Sequence, residues 1–329
     1  MTVRHFLTDL DLSPQELTEV LDLADHLKDQ PYAVPALAGP QTVAVVFDKT
    51  STRTRVSFAA GISALGGAPL IINPGEAQLG HKESIADTAR VFERMVSAVV
   101  WRTFAQIGLE EMAQHSGVPV VNALSDDYHP CQLLADLQTV RAHFGDLAGR
   151  RLAYLGDAAN NMANSYLLAG VNAGMDVRIA GPDGYLPADA VIAAAQDRAA
   201  ITGSSVLVTT DPATALEDAD VVATDTWISM GQEDEKEHRL SLFGDYRVDS
   251  AAMSRAAEGA IVLHCLPAYR GVEISAEVID GPQSVVFDEA ENRLHAQKAL
   301  LVWLLVASGL ADEATTAAVN AVIGAKEPR

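Results

Sequence analysis

Cysteine is nearly absent: Cys131 and Cys265 are the only two in 329 residues. Two thiols cannot build a disulfide framework and lack metal-ligand spacing, so a stapled secreted scaffold and a zinc module are both excluded, and a reducing, cytoplasmic setting is expected. Basic charge is also scarce. There are 23 Lys and Arg against 44 Asp and Glu, a formal charge of −21. Such a surface repels nucleic acid and anionic membrane and argues against both as partners. The most apolar stretch, residues 299–311, contains Ser308 and Gly309 and is short of the roughly 18 to 20 residues that cross a bilayer. Residues 1–11 carry Arg4, Asp9 and Asp11 and no apolar core with a cleavage site, so no secretory signal is expected.

Hydrophobic residues make up 49% and charged ones 20%, which is globular. At about 100 to 200 residues per domain the length suggests two domains. Short β-branched runs alternate with longer amphipathic or alanine-rich segments, the pattern of α/β architecture: two domains, each a parallel sheet flanked by helices. Strands are expected over residues 42–47, 69–73, 97–101 and 119–122, with helices over 54–65, 83–95, 107–115 and 131–144. Gly145, Asp146 and Gly149 mark a change of unit, giving domains 1–146 and 147–294. Further strands are expected over residues 151–155, 176–180, 205–209, 220–224, 260–264 and 284–287, and a last helix from about Arg293. The run GQEDEKEHR, residues 231–239, has no apolar face and reads as a surface loop.

Chemistry concentrates at four places. Asp48-Lys49-Thr50-Ser51-Thr52-Arg53-Thr54-Arg55 lies between a strand and a helix. It sets hydroxyls, arginines and free backbone N–H groups at one helix N-terminus, a place for phosphate or carboxylate. The glycines of a Walker A loop are missing; an ordinary Ser/Thr cap with solvated arginines is the competing reading. His129-Pro130-Cys131-Gln132 opens the next helix, and His129 and Gln132, three apart, can face one ligand. His264-Cys265-Leu266-Pro267 ends an apolar strand, where open α/β sheets bind ligands; a buried structural thiol is the alternative. Asp225-Thr226-Trp227-Ile228-Ser229-Met230-Gly231 offers an acceptor and a hydroxyl within a short span. Beside these stand Trp101-Arg102-Thr103 at a strand end and Gly156-Asp157-Ala158-Ala159-Asn160-Asn161, which lacks the G-x-G-x-x-G of a dinucleotide turn.

Taken in order, STRTR, HPCQ and HCLP resemble the motifs of the aspartate and ornithine carbamoyltransferase family. HCLP stands where the aspartate enzymes typically carry an HPLPR-type segment, and DTWISMG resembles the ornithine-binding loop, so the chain is similar to the ornithine branch. The likeness spans nearly the whole chain, including GDAANN and the terminal ENRLHAQKALL. It implies transfer of the carbamoyl group of carbamoyl phosphate to the δ-amine of L-ornithine, in a cleft between the domains, with arginine biosynthesis as the setting. No metal and no organic cofactor are implied. Ser51, Thr52, Arg53 and Thr54 would hold carbamoyl phosphate, with Arg102, His129 and Gln132 completing the grip and Gln78 reaching in from a neighbouring subunit of a homotrimer. Asn161, Asp225, Ser229 and Met230 would bind the amino-acid end of ornithine, while Cys265, Leu266 and Arg293 lie by the reacting group. Cys265, Arg102 and His129 are the catalytic candidates, and a C-terminal helix over about 295–329 is expected to pack on the first domain.

The physical roles fit these residue types. Phosphate carries about two negative charges, which Arg53, Arg102 and the helix N-terminus stabilise as it departs. Donors from Thr54, Arg102 and His129 aimed at the carbonyl oxygen form an oxyanion site. The attacking amine resembles lysine, pKa about 10.4, so the site must favour its neutral form; Cys265 and Asp225 are candidates for orienting or deprotonating it. Residues 229–239 are expected to close over ornithine and exclude water. The alternatives are a carbamoyltransferase for another amine, such as putrescine or acetylornithine, and a non-catalytic anion-binding protein that keeps the fold.

Overall fold

The computed structural model describes residues 2–76, 83–228 and 233–324, and every count below refers to these. The chain divides into two compact units, Met1–Gln138 with Glu291–Arg329, and Thr139–Ala290. Gln78, Ser229 and Met230 lie outside the described residues.

In the first unit, β1 (Thr42–Phe47), β2 (Ala68–Ile72), β3 (Ala98–Arg102) and β4 (Val120–Leu124) form one sheet in the order β2-β1-β3-β4, every pairing parallel. Parallel neighbours need crossovers. The linking helices are α2 (Thr52–Ala64), α3 (Ile85–Phe92) and α4 (Gln106–His115), and α5 (Pro130–Phe144) follows β4. Both faces of β1 and β3 are therefore covered, which is why TVAVVF and AVVWR are near-continuous apolar runs. On one face Val46, Val99, Trp101, Leu109, Met112 and Val120 pack together.

No element was expected before residue 42, yet α1 (Pro14–Asp29) precedes the sheet. Its start is a capping box: Ser13 Oγ accepts from the Glu16 N–H at 3.2 Å, and Glu16 Oε2 accepts from the Ser13 N–H at 2.8 Å. In the same unit the Lys298 ammonium, buried, donates to the carbonyls of Leu27 and Pro31 at 3.0 and 3.2 Å, and Trp303 Nε1 donates to Glu19 at 3.0 Å.

The second unit holds β5 (Arg151–Leu155), β6 (Asp176–Ala180), β7 (Val206–Thr209), β8 (Val221–Thr224) and β9 (Ile261–His264) in the order β7-β6-β5-β8-β9, again all parallel. Its helices are α6 (Asn161–Asn172), α7 (Asp189–Thr202) and α8 (Pro212–Leu216), then the shorter α9 (Lys236–Leu242), α10 (Ser250–Met253) and α11 (Ala276–Ile279). Gly170 of α6 lets that helix close on β6: a Cβ there would sit 2.4 Å from a Val177 methyl.

Three expectations need correction. Residues 284–287 are not a strand. Ser284 makes a single bridge to Val262, and α12 (Val286–Ala307) then begins, with Asp288 and Glu289 in its first turn, where acidic side chains favour a helix start. The segment expected as one C-terminal helix is two, because the chain leaves α12 through Gly309 at φ 68° before α13 (Glu313–Gly324).

The third correction concerns the polar run 231–239, which is not irregular throughout. A 3-10 turn at Glu233–Glu235 leads into α9, and Arg239 turns inward. Its Nη1 lies 2.6 Å from Asp157 Oδ2, with the side chains 6% and 5% exposed, and 3.1 Å from the Trp227 carbonyl oxygen. Its Nε reaches Glu235 at 2.8 Å, and its guanidinium lies 5.0 Å from the centre of the Tyr185 ring. A run chosen for polarity thus contains one charge that the core of the unit demands. Removing one member of a buried pair leaves the other uncompensated. Arg239→Ala should therefore lower the unfolding free energy of the second unit by about 3 kcal/mol, measured by urea denaturation. A loss below about 0.5 kcal/mol, the range of surface changes, would show that Asp157 does not depend on it.

Candidate active site

The motifs follow the strand ends. In the first unit β1 leads into residues 48–51, β3 ends on Arg102, and β4 leads towards His129. These three strands are neighbours, and the chain order reverses between β1 and β3, the switch point where an open parallel sheet leaves a crevice at its carboxyl edge. The second unit repeats the logic. GDAANN follows β5, Asp225 follows β8 and Cys265 follows β9, with the reversal between β5 and β8.

Ser51 is the N-cap of α2, its Oγ accepting from the Thr54 N–H at 3.2 Å, and no acidic side chain stands in the first turn. The positive end of the helix therefore keeps its capacity for an anion. The loop before it is tied to β3: the Asp48 N–H donates to the Arg102 carbonyl at 2.8 Å, and Trp101 Nε1 donates to Asp48 Oδ2 at 2.8 Å. Lys49 pairs with Asp126 and lies over the Phe104 ring.

His129, buried, immediately precedes α5. Burial pushes its pKa well below the ordinary histidine value, and the positive charges of Arg293, Arg102 and Arg53 push the same way. A neutral imidazole with one N–H and one lone pair results. Arg293 joins the cluster from α12, with Nη1 donating to Gln132 Oε1 at 2.5 Å and Nη2 to Thr54 Oγ1 at 3.3 Å. Three guanidiniums bear on this imidazole, and a helix N-terminus without acidic side chains lies in the same unit, a combination of charges that suits a small anion.

In the second unit Cys265 Sγ donates to Asp225 Oδ1 at 3.2 Å. Burial raises the Asp225 pKa, opposed by His264, the thiol and the Thr226 N–H, and aided by Glu273. The turn after β9 is fixed from beneath. His264 Nδ1 accepts from the Leu266 N–H at 2.9 Å, its Nε2 lies 3.2 Å from Glu273 Oε1, and the His264 N–H donates to Glu289 at 2.8 Å. Leu266 adopts φ 57° and precedes a cis bond to Pro267. Among the described residues Asp225, His264 and Cys265 are the one group whose ligand atoms lie within 4.8 Å of one another, but both imidazole nitrogens of His264 are already engaged. Gly156, at φ 133°, lets the backbone after β5 pass Trp227, where a Cβ would meet the indole nitrogen at 3.1 Å. Asn161 is the first residue of α6, capped by Asn160.

Ser51, Thr52, Arg53, Thr54, Arg102, His129, Gln132 and Arg293 thus belong to the first unit, and Asn161, Asp225, Cys265 and Leu266 to the second. Sequence reasoning missed Asp136, which accepts from Gln132 Nε2 at 2.8 Å, although its spacing of four along α5 was there to be read. It also missed Gln297, beside Arg293, and Glu273. The latter sits eight residues beyond Cys265 in a segment with no regular period, so nothing in the sequence announces it.

Residues 4–142 match the family model described as aspartate/ornithine carbamoyltransferase, carbamoyl-P binding domain, and residues 148–304 match its Asp/Orn binding domain. The chain is 70% identical over 306 residues to a protein of Renibacterium salmoninarum named ornithine carbamoyltransferase, covering 92% of this chain and 98% of that one. Among solved structures it resembles ornithine carbamoyltransferase from Pyrococcus furiosus, at 42% identity and TM-score 0.88 over 92% of this chain and 96% of that one. The enzyme of the same name from Gloeobacter violaceus matches at 46% identity and TM-score 0.83, over 92% and 98%. With both family domains matched along most of its length, the chain belongs to the aspartate/ornithine carbamoyltransferase family.

Proposed function

We propose that the chain transfers the carbamoyl group of carbamoyl phosphate to the δ-amine of L-ornithine, giving L-citrulline and phosphate, as a step of arginine biosynthesis. The observation that carries this is Arg293, which joins Gln132 in the first turn of α5 to Thr54 in the acid-free first turn of α2, beside the buried His129, whose pKa burial and the charges of Arg293, Arg102 and Arg53 lower. Relatives at 65 to 70% identity that bear the name ornithine carbamoyltransferase support the choice of ornithine.

In the reaction a C–N bond forms, the bond from the carbonyl carbon to the bridging oxygen breaks, phosphate leaves with that oxygen and the bond pair, and the proton lost by the amine ends on phosphate or solvent. Ser51, Thr52 and Arg53 with the α2 N–H groups hold the phosphoryl oxygens, and Arg53 and Arg102 stabilise them more as charge accumulates on the leaving group. Thr54, Arg102 and His129 address the carbonyl oxygen. A neutral imidazole suits that task, because it donates one hydrogen bond without a protonation equilibrium near pH 7. In the second unit the hydrogen-bonded Asp225–Cys265 pair receives ornithine, with Asn161, Ser229 and Met230 at its amino-acid end. A carboxylate whose pKa burial has raised is closer to accepting a proton than an exposed one.

We further assign a cytoplasmic homotrimer with shared sites, in which Gln78 serves a neighbouring subunit. The two free thiols fit the reducing compartment. Met95 at 72% exposure, Val56, Val91 and Leu70 on the β2 edge leave the first unit with apolar surface suited to burial against further copies. Sedimentation equilibrium should return three times the single-chain mass, and a monomer at micromolar concentration would remove the assignment.

The primary assay is citrulline formation from carbamoyl phosphate and L-ornithine, run beside putrescine, N-acetylornithine and aspartate. Ornithine alone should turn over. Preference for another amine would keep the first-unit site and overturn the roles given to Asp225 and Asn161, while phosphate release with none would leave an anion-binding protein.

His129 makes the pH prediction. Its folded pKa lies below the unfolded value of about 6.5, so below that pH the unfolded chain binds the extra proton and stability falls, by at most about 1.4 kcal/mol per pH unit. In the ligand-free protein its ring resonances should stay at their neutral positions from pH 8 to pH 6. A midpoint at or above 6.5 would contradict the neutral donor.

A further inference from the structure

Three buried polar side chains meet at the carboxyl edge of the first sheet, apart from the groups assigned to the substrates. Asn122 in β4 and Ser125 just beyond it are enclosed, and Gln106, the first residue of α4, is 7% exposed. Polar groups are costly to bury unless they bond one another. Gln106 Nε2 donates to the Leu7 carbonyl at 3.3 Å, and Asn122 Nδ2 donates to the same carbonyl at 2.8 Å. That carbonyl is held in turn, because Phe6 bridges β4 in parallel. The Phe6 N–H donates to the Val120 carbonyl at 2.9 Å, and the Asn122 N–H to the Phe6 carbonyl at 2.8 Å.

A carbonyl oxygen only accepts, so it sets the direction of the amide that faces it. With its NH2 on Leu7, Gln106 presents Oε1 to Ser125, whose Oγ donates to it at 2.7 Å. A hydroxyl has one proton. Directed at Gln106, that proton turns the lone pairs of Oγ towards the Tyr128 N–H at 3.1 Å and Asn122 Nδ2 at 3.2 Å. The competing acceptor, the Tyr128 carbonyl, is farther from Oγ at 3.4 Å and takes the Ser125 N–H at 2.8 Å. Residues 125–128 are thereby closed at both backbone groups of Tyr128.

His129 follows at once, before Pro130 at the start of α5. A proline biases the residue before it towards extended backbone, and the His129 carbonyl accepts from the Gln132 N–H at 3.0 Å. Between a closed turn and a helix start the backbone of His129 has little slack, so the turn decides where the imidazole stands.

We propose that Gln106 is a positioning residue for His129: by directing the Ser125 hydroxyl it closes the turn over residues 125–128, and the turn sets the imidazole against the carbonyl oxygen of carbamoyl phosphate. This rests on the reading of His129 as a donor to that oxygen. A misplacement of about 1 Å in a group that addresses the reacting atoms costs up to about a hundredfold in rate.

The test compares the full-length enzyme with Gln106→Met, which keeps the length of the side chain and removes its hydrogen bonds, and with Ser125→Ala. Citrulline formation and the nitrogen and proton resonances of the His129 ring are read in each. In either variant kcat should fall about tenfold while the KM for ornithine stays within about twofold, and the His129 ring resonances should move. Adding Gln106→Met to Ser125→Ala should lower kcat by less than about a further twofold, because both act through one hydroxyl. An unchanged kcat would overturn the proposal, as would a fall with the ring resonances unmoved, or losses that multiply in the double variant. If the variants fail to fold, the wild-type Tyr128 amide decides: its hydrogen exchange should be slowed at least about a hundredfold relative to an unstructured amide, and exchange at the unprotected rate would overturn the closed turn. Absence of carbamoyl transfer in wild type would instead remove the reading of His129, while the ring resonances and the Tyr128 exchange would still decide whether Gln106 positions the ring.

Discussion

A parallel sheet covered on both faces has one place where polar chemistry can collect, the edge where its strands end and its helices begin. Between their terminal residues β1, β3, β5 and β8 are buried and almost wholly apolar. The crossovers force all strands of a sheet to end on the same side, and the reversal of strand order parts neighbouring connections there. STRTR, Arg102 and HPCQ are far apart in sequence and gather because β1, β3 and β4 are adjacent. Asp225 and Cys265 meet for the same reason at the ends of β8 and β9.

The first unit concentrates positive charge within a chain of net charge −21. Arg53, Arg102 and Arg293 all act on His129, an arrangement that is costly without an anion and is strengthened by one. Uncharged groups distribute the rest: Thr54, Gln132 and Gln297 each hold Arg293, so that its planar fork is oriented before any ligand arrives. Such preorganisation is what a charge-stabilising site needs, since donors already in place need no reorganisation when charge develops.

The second unit works with opposite electrostatics. Its Asp225 is an acid whose ionised form burial disfavours, with a thiol as its hydrogen-bond donor. His264 and Glu273 hold the turn that carries Cys265, and the Arg239–Asp157 pair holds α9 to the turn after β5. Neither support resembles a ligand site. Both keep short connections in one conformation, the ordinary requirement for side chains that must aim at a substrate.

The strands were the most legible part of the fold. Residues 42–47, 151–155 and 176–180 are strands at the expected bounds, because runs this apolar between glycine and polar breaks have no other home. Residues 284–287 look the same locally, yet α12 begins at Val286; a strand needs a continuous partner, and Val262 offers one bridge. Arg239 was hidden in a polar run because only the enclosed Asp157 makes it a core residue. The amino-acid sequence by itself determined the parallel architecture and the Ser51-capped, acid-free start of α2, since these follow from local period and side-chain character. Tertiary structure alone decided that burial and three arginines lower the His129 pKa and that Arg293 spans Thr54 and Gln132, because burial, charge proximity and hydrogen-bond partners belong to groups brought together from distant parts of the chain.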